Sequence, residues 1–212
     1  MKRQEELICR VLTPDDYQIS DWSGGQTTEL LIGPEGSRYA DRNFSFRISS
    51  ATVDLPESTF TDLPDYNRII MIFSGTMDLR HNDGVWMHFD ECEPYRFDGA
   101  DRTESRGKVT DFNLMLRKGV LDGAMVPLRM MPGETVNLAG VLAAEMGAPE
   151  EILVYCFKGH LTFTDGSGKT WKVGEKESFF TSGRGAGQGI RIEAEDGVVA
   201  AAAAVCPEKH SK

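Results

Sequence analysis

The chain is short of the residues that carry cross-links, metals and membrane spans. Its four cysteines, Cys9, Cys92, Cys156 and Cys206, are scattered over 212 residues without a Cys-x-x-Cys pair. Neither a zinc ribbon nor a thiol redox motif is available, and a chain of this length buries enough core to fold without disulfides. No apolar run approaches the roughly 20 residues that cross a bilayer. The first ten residues, MKRQEELICR, follow a basic start with Glu5 and Glu6 rather than an apolar segment, so a cytoplasmic protein with no membrane partner is expected. Basic clusters are missing too: no Lys/Arg run exceeds a dipeptide and the formal net charge is −10. A nucleic acid partner would be repelled by such a surface.

What is present is a succession of short apolar or alternating runs, among them TTELLI, FSFRISSATV, RIIMIF, DFNLML, EILVYCF and IRIE, separated by Gly, Asp, Asn and Pro turns. That pattern predicts an all-β protein. One helix is expected in ETVNLAGVLAAEMGAPE, residues 134–150, where Gly147 suits a C-terminal cap and Pro149 prevents continuation. The alanine run from Val198 to Cys206 follows an Asp-Gly turn and is expected as a closing strand. SGRGAGQG, Ser182–Gly189, lacks Gly-Lys-Ser/Thr and precedes a strand, so it is a hairpin loop rather than a phosphate loop.

The runs repeat. Phe73 and Gly75 recur as Phe157 and Gly159, Trp86 as Trp171 and Phe97 as Phe180, a spacing of 83 to 85 residues. Each copy reads strand, Phe-x-Gly, strand, Asp-Gly turn, Trp-bearing strand, acidic turn, aromatic end. The pattern resembles the central hairpins of cupin jelly-roll barrels. It implies a bicupin of two tandem cupin-like barrels with one or two short helices, the first over residues 1–118 and the second over residues 119–212.

Four motifs in the first half narrow the resemblance: WSGGQTTEL from Trp22, FRISSATV from Phe46, FTDLPDYNR from Phe60 to Arg68, and DFNLM from Asp111. Together they resemble the HutD/Ves family of bicupins. Many relatives carry Asn-Gly-Gly with an intervening residue after the tryptophan, whereas Ser23 alone stands between Trp22 and Gly24, so no role of that asparagine carries over. The resemblance implies a link to histidine degradation, with binding of an intermediate such as formiminoglutamate, and attaches no firm enzymatic activity.

Most cupin enzymes hold a metal through His-x-His, a glutamate and a third histidine. This chain has four histidines, His81, His88, His160 and His210, none so spaced; no metal and no cofactor are expected. His160 reads as an ordinary strand histidine, and His81 and His88, flanking an NDG hairpin, as solvent-exposed. Strand alternation places Thr27 with Glu29, Arg47 with Ser45 and Ser49, and Asp111 with Asn113 on shared faces. Two readings of these polar faces stand side by side. In one, Arg47 and Arg68 bind a carboxylate of a small metabolite, Thr27, Ser49 and Asn113 add neutral hydrogen bonds, Glu29 or Asp111 meets a cationic nitrogen, and Trp22 with its glycines shapes the turn beside them. In the other, the same residues form an internal network that fixes strand order, and Arg68 only caps a turn.

The function expected is a metal-independent binder of a small carboxylate metabolite that modulates histidine use, without required turnover. The alternatives are a metal-free hydrolase or isomerase using Glu29 or Asp111 as acid or base, and a protein-interaction module with filled barrels. Sheet edges that can pair leave room for a homodimer.

Overall fold

The computed structural model describes residues 7–208. The basic start of the chain and His210 lie outside the described residues. The strands of the first half are β1 (Ile8–Leu12), β2 (Gln18–Trp22), β3 (Gly25–Gly33), β4 (Phe46–Val53), β5 (Glu57–Thr59), β6 (Tyr66–Ser74), β7 (Met77–His81), β8 (Met87–Phe89), β9 (Tyr95–Asp98), β10 (Thr103–Arg106) and β11 (Val109–Arg117). Those of the second half are β12 (Leu121–Met130), β13 (Thr135–Asn137), β14 (Glu151–Lys158), β15 (Leu161–Thr164), β16 (Thr170–Val173), β17 (Ser178–Ser182), β18 (Arg191–Ala194) and β19 (Val198–Pro207). A short helix, α1 (Leu138–Leu142), lies between β13 and β14.

The chain divides into two compact units. Residues Tyr17–Leu121 form one, and residues 7–16 with 122–208 form the other. The first holds a six-stranded sheet ordered β2-β3-β4-β11-β6-β9 and a four-stranded sheet ordered β5-β10-β7-β8. The second holds a five-stranded sheet, β1-β17-β14-β19-β12, and a four-stranded sheet, β13-β18-β15-β16. Each unit is thus a two-sheet cupin jelly roll, in which antiparallel sheets turn alternate residues inward. The cut at 118/119 does not follow the pairing at the chain's start: β1 ladders along β17, from Ile8 opposite Ser182 to Leu12 opposite Ser178.

The internal repeat has a backbone cause. Gly75 and Gly159 end equivalent strands, β6 and β14, with φ of +92° and +93°. A Cβ on Gly75 would lie 2.6 Å from the Lys108 carbonyl, and one on Gly159 2.7 Å from that of Gly197. Left-handed backbone and close approach both demand glycine, so the spacing of these turns is written into the sequence.

The helix is shorter than its composition suggests. Thr135–Asn137 pairs with Arg191–Glu193 instead of coiling, and the Asn137 side chain accepts from the Gly140 amide at 3.1 Å, starting α1 one residue later. Leu138 and Leu142 then join the core of the second unit. The alanine run is the strand β19, whose Ala202 and Ala201 sit opposite Val154 and Tyr155 of β14. Small side chains there make room for large ones: Phe163 and Phe179 stack at 4.2 Å between centroids in the same core. The core of this second unit is mostly apolar, with the buried Thr181 bonded by the Cys9 thiol and, among the described residues, no buried charged residue.

The first unit is built differently. Ile70, Ile72 and Phe97 of the six-stranded sheet pack against Met77 and Leu79 of the four-stranded sheet at one part of the interior. Elsewhere the same inward face carries Arg47, Ser49, Arg68, Asp111 and Asn113, all buried. The opposite face of β4, β6 and β11 is buried as well, by Phe46, Ile48, Ile69, Met71, Phe112 and Leu114.

Candidate functional site

Register explains why residues far apart in sequence share one wall. Directly opposed residues of antiparallel strands point to the same side. Glu29 of β3 stands opposite Ser49 of β4, which stands opposite Asn113 of β11. Thr27, Ala51 and Asp111 form the neighbouring row, and Arg47, Met115 and Arg68 the next. A bulge between Glu29 and Leu31 resets β3, so that Ile32 rather than Leu31 faces Arg47.

These rows line a cavity of about 270 Å³. Trp22, Thr27, Arg47, Ser49, Arg68, Asp111 and Asn113 all border it, together with Ser20, Tyr39, Ala51, Val53, Ser58, Thr59, Phe60, Thr61 and Met115. Glu29 is not on the lining; it reaches the site through Arg47.

The two arginines are held in different ways. Arg47 donates from Nε to Glu29 at 2.6 Å and from a terminal nitrogen to Ser49 Oγ at 3.2 Å, and its guanidinium lies 4.3 Å from the centre of the Tyr39 ring. Two of its five N–H groups bond within the fold. Arg68 lies instead between two rings, 4.8 Å from Phe60 and 5.1 Å from Phe97. Aromatic faces stabilise the cation without using its N–H groups, and Arg68 Nε is buried with no hydrogen-bond partner in the protein. Burial lowers Arg68 to about 10, against the opposing pull of Asp111.

Two acceptors in the same cavity are also unpartnered, Asp111 Oδ1 and Asn113 Oδ1. Burial pushes the Asp111 carboxyl up to about 7, although Arg68, the Ala51 amide and Arg47 each favour its charged form. Buried polar atoms without partners are uncommon, because each costs roughly 1–3 kcal/mol. Three such atoms lie just behind the wall of one cavity, on residues that line it. Tyr39 adds a fourth functional group: burial raises its phenol, but the hydrogen bond and charge of Arg42, with Thr61 and Arg47, outweigh it and leave the group below its usual value.

Tyr39 and Phe60 line the site and Phe97 backs Arg68, although none stands among the site residues expected from the sequence. Phe60 was within reach, since it opens the motif that ends in Arg68; Tyr39 sits in the short turn Tyr39–Asp41, where no periodicity points to a face. The histidines lie elsewhere. His88 bonds Asp78 at 2.6 Å and is exposed, and His160 bonds Asp196 at 2.8 Å. His81 is not the exposed residue expected: it is half-buried, bonded to Thr103 Oγ1 at 2.9 Å and set against Tyr95 and Phe97. Among the described residues no group of three His, Cys, Asp or Glu side chains is placed to hold a metal ion. None of the helices described is long and apolar enough to cross a membrane.

Comparison with known proteins gives the same architecture. A conserved protein of unknown function from Pseudomonas aeruginosa PAO1 aligns with a TM-score of 0.76 at 21% identity, over 93% of this chain and 98% of that one. HutD from Pseudomonas fluorescens SBW25 aligns at 0.71 and 17% identity, over 95% and 100%. YhhW from Escherichia coli aligns at 0.66 and 10%, over 96% and 100%. No curated protein matches the sequence. At these identities the structural likeness speaks for the fold, while the sequence profile of HutD matches residues 14–200, most of the chain. The chain therefore belongs to the HutD family, built on the cupin jelly roll.

Proposed function

We propose that the first barrel binds a small carboxylate-bearing metabolite without a metal, and that occupancy of this site modulates histidine utilisation. The observation that carries the binding step is Arg68, a guanidinium beside Phe60 and Phe97 that borders the cavity and keeps an unpartnered Nε just behind its wall. A carboxylate is the natural acceptor for such an edge, since charge-assisted bonds to arginine are among the strongest available. Asp111 and Asn113 border the same cavity and each holds an acceptor oxygen without a partner just behind its wall, so a small side-chain shift would meet N–H or O–H donors of the same ligand. A formimino group or an amine beside a carboxylate meets both demands. Size agrees: a cavity of about 270 Å³ lies at the small end of ligand pockets, which start at about 300 Å³, and suits a small metabolite. The histidine-utilisation role rests on family membership.

Calorimetric titration of metal-stripped protein with formiminoglutamate, glutamate, urocanate and histidine tests the binding step. Arg68→Met keeps an apolar stem between the two rings and removes the donors. Saturable binding that this variant weakens by about 1.5 to 3 kcal/mol, the range for a bond to a charged group, is the expected result. Absence of heat with all four compounds in folded protein would remove the reading.

A second reading has its own observation. The Asp111 carboxyl, brought to about 7 inside a cavity, has the acidity of a general acid or base at neutral pH. A metal-free hydrolase or isomerase would show turnover with a pH limb near 7 that Asp111→Asn abolishes. A pH-independent rate, or one that survives that substitution, excludes Asp111 from the role.

A further inference from the structure

Trp22 stands out among the cavity residues because it is both lining and surface: its side chain borders the cavity yet the residue is 39% exposed. A core tryptophan would be covered, whereas this one keeps part of its flat face open beside the cavity. What holds the indole is Gly24. A Cβ at that position would lie 2.0, 2.4 and 2.9 Å from three atoms of the indole's six-membered ring, so the ring rests on the bare glycine backbone.

The turn beneath it is pinned to β4, the strand of Arg47 and Ser49. The Asp54 amide donates to the Gly24 carbonyl at 2.7 Å, and the Gln26 amide donates to Thr52 Oγ1 at 3.3 Å. Gly25 approaches so closely that a Cβ would meet the Thr52 carbonyl at 1.9 Å. The indole is therefore fixed relative to the polar wall while one part of it stays open.

We propose that Trp22, seated on Gly24, is the aromatic contact of the ligand site and selects carboxylates that carry a flat, π-bearing group. The inference rests on the preceding reading of the cavity as a ligand site. The indole offers a flat apolar surface to a planar group, which a saturated chain matches less well. Any side chain at position 24 displaces that surface without touching Arg68, Asp111 or Asn113.

A matched pair of probes separates this from binding in general. Benzoate and cyclohexanecarboxylate have the same carboxylate and ring size and differ in flatness. Wild-type protein is expected to bind benzoate at least about tenfold more tightly. Gly24→Ala should remove that preference while leaving cyclohexanecarboxylate affinity within about twofold, and Trp22→Leu should lower benzoate affinity about tenfold more than cyclohexanecarboxylate affinity. In a Trp86→Phe, Trp171→Phe background, benzoate should change the emission of the remaining Trp22. Equal affinity for the two probes, or a preference that survives Gly24→Ala, overturns the inference, and loss of both affinities in Arg68→Met then leaves the ligand-site reading standing. If neither probe binds but one of the four metabolites does, an unchanged affinity of that metabolite in Trp22→Leu overturns it. No binding by any compound removes both readings together.

Discussion

Replacing Glu29 by alanine is expected to cost about 3 to 5 kcal/mol of folding stability, because it leaves Arg47 as a buried cation without its bonded carboxylate. The two side chains are 12% and 7% exposed and meet at 2.6 Å, and Ser49 and the Tyr39 ring do not supply the missing charge. Urea denaturation of the single variant measures the loss, and the double variant Glu29→Leu with Arg47→Met interprets it. Replacing a buried pair by apolar residues of similar volume is often neutral, so the double variant is expected to recover most of the stability. Its ligand affinity then decides what the pair is for. Retained affinity makes Arg47 and Glu29 a scaffold that fixes β3 against β4 and leaves Arg68 as the anchor. A loss comparable to that of Arg68→Met makes Arg47 a second ligand contact. A single variant as stable as wild type would show that water reaches Arg47 freely, and would undercut the account of its burial.

The division of labour between the two arginines marks how far the sequence can be read. Alternation placed Glu29, Arg47, Ser49, Asp111 and Asn113 on shared faces, and the paired registers of β3, β4 and β11 join those faces. Period-two patterning carries that information because a side chain's face depends only on its own strand. Arg68 was harder to place: just ahead of an apolar run it looks like a turn cap, whereas it lies within β6 opposite Met115 and Phe97. Its environment is made by Phe97, which reaches it through the β6–β9 pairing, and Phe60, whose amide bonds Thr103 of the four-stranded sheet and which meets it only when the two sheets close. Tyr39 reaches the cavity from a turn, and no local pattern announces it. The same rule explains the helix. Residues 135–137 have side chains a helix tolerates, but pairing with β18 takes their backbone bonds, and tertiary pairing overrides weak propensity. The glycine turns at Gly75 and Gly159 were legible because a backbone demand shows directly as a residue type.

Asp111 is expected to make stability fall as pH rises from about 4 to 7. Its carboxyl goes from the ordinary 3.8 to about 7 on folding, so within that window the folded state holds a proton the unfolded chain has released. Below the window both states are protonated and the group contributes nothing; above it the full penalty is present, about 4 kcal/mol at roughly 1.36 kcal/mol per unit. Asp111→Asn removes this slope, which urea midpoints measured between pH 4 and 8 would show as a flatter curve. A variant with the wild-type slope would mean that Asp111 ionises as freely in the fold as in the unfolded chain. The same proton links to the ligand. Asp111 is faced by Arg68 and Arg47, which favour its charged form, while burial opposes it. A ligand that places only a carboxylate on Arg68 adds negative charge beside Asp111 and favours its neutral form, so affinity should rise as pH falls from 8 to 6, by at most about tenfold per unit for one coupled proton. A ligand that turns a cationic nitrogen towards Asp111 favours the ionised form, and its affinity should fall over the same range. The sign of that pH dependence, lost in Asp111→Asn, therefore reports which end of the ligand lies against the buried carboxyl.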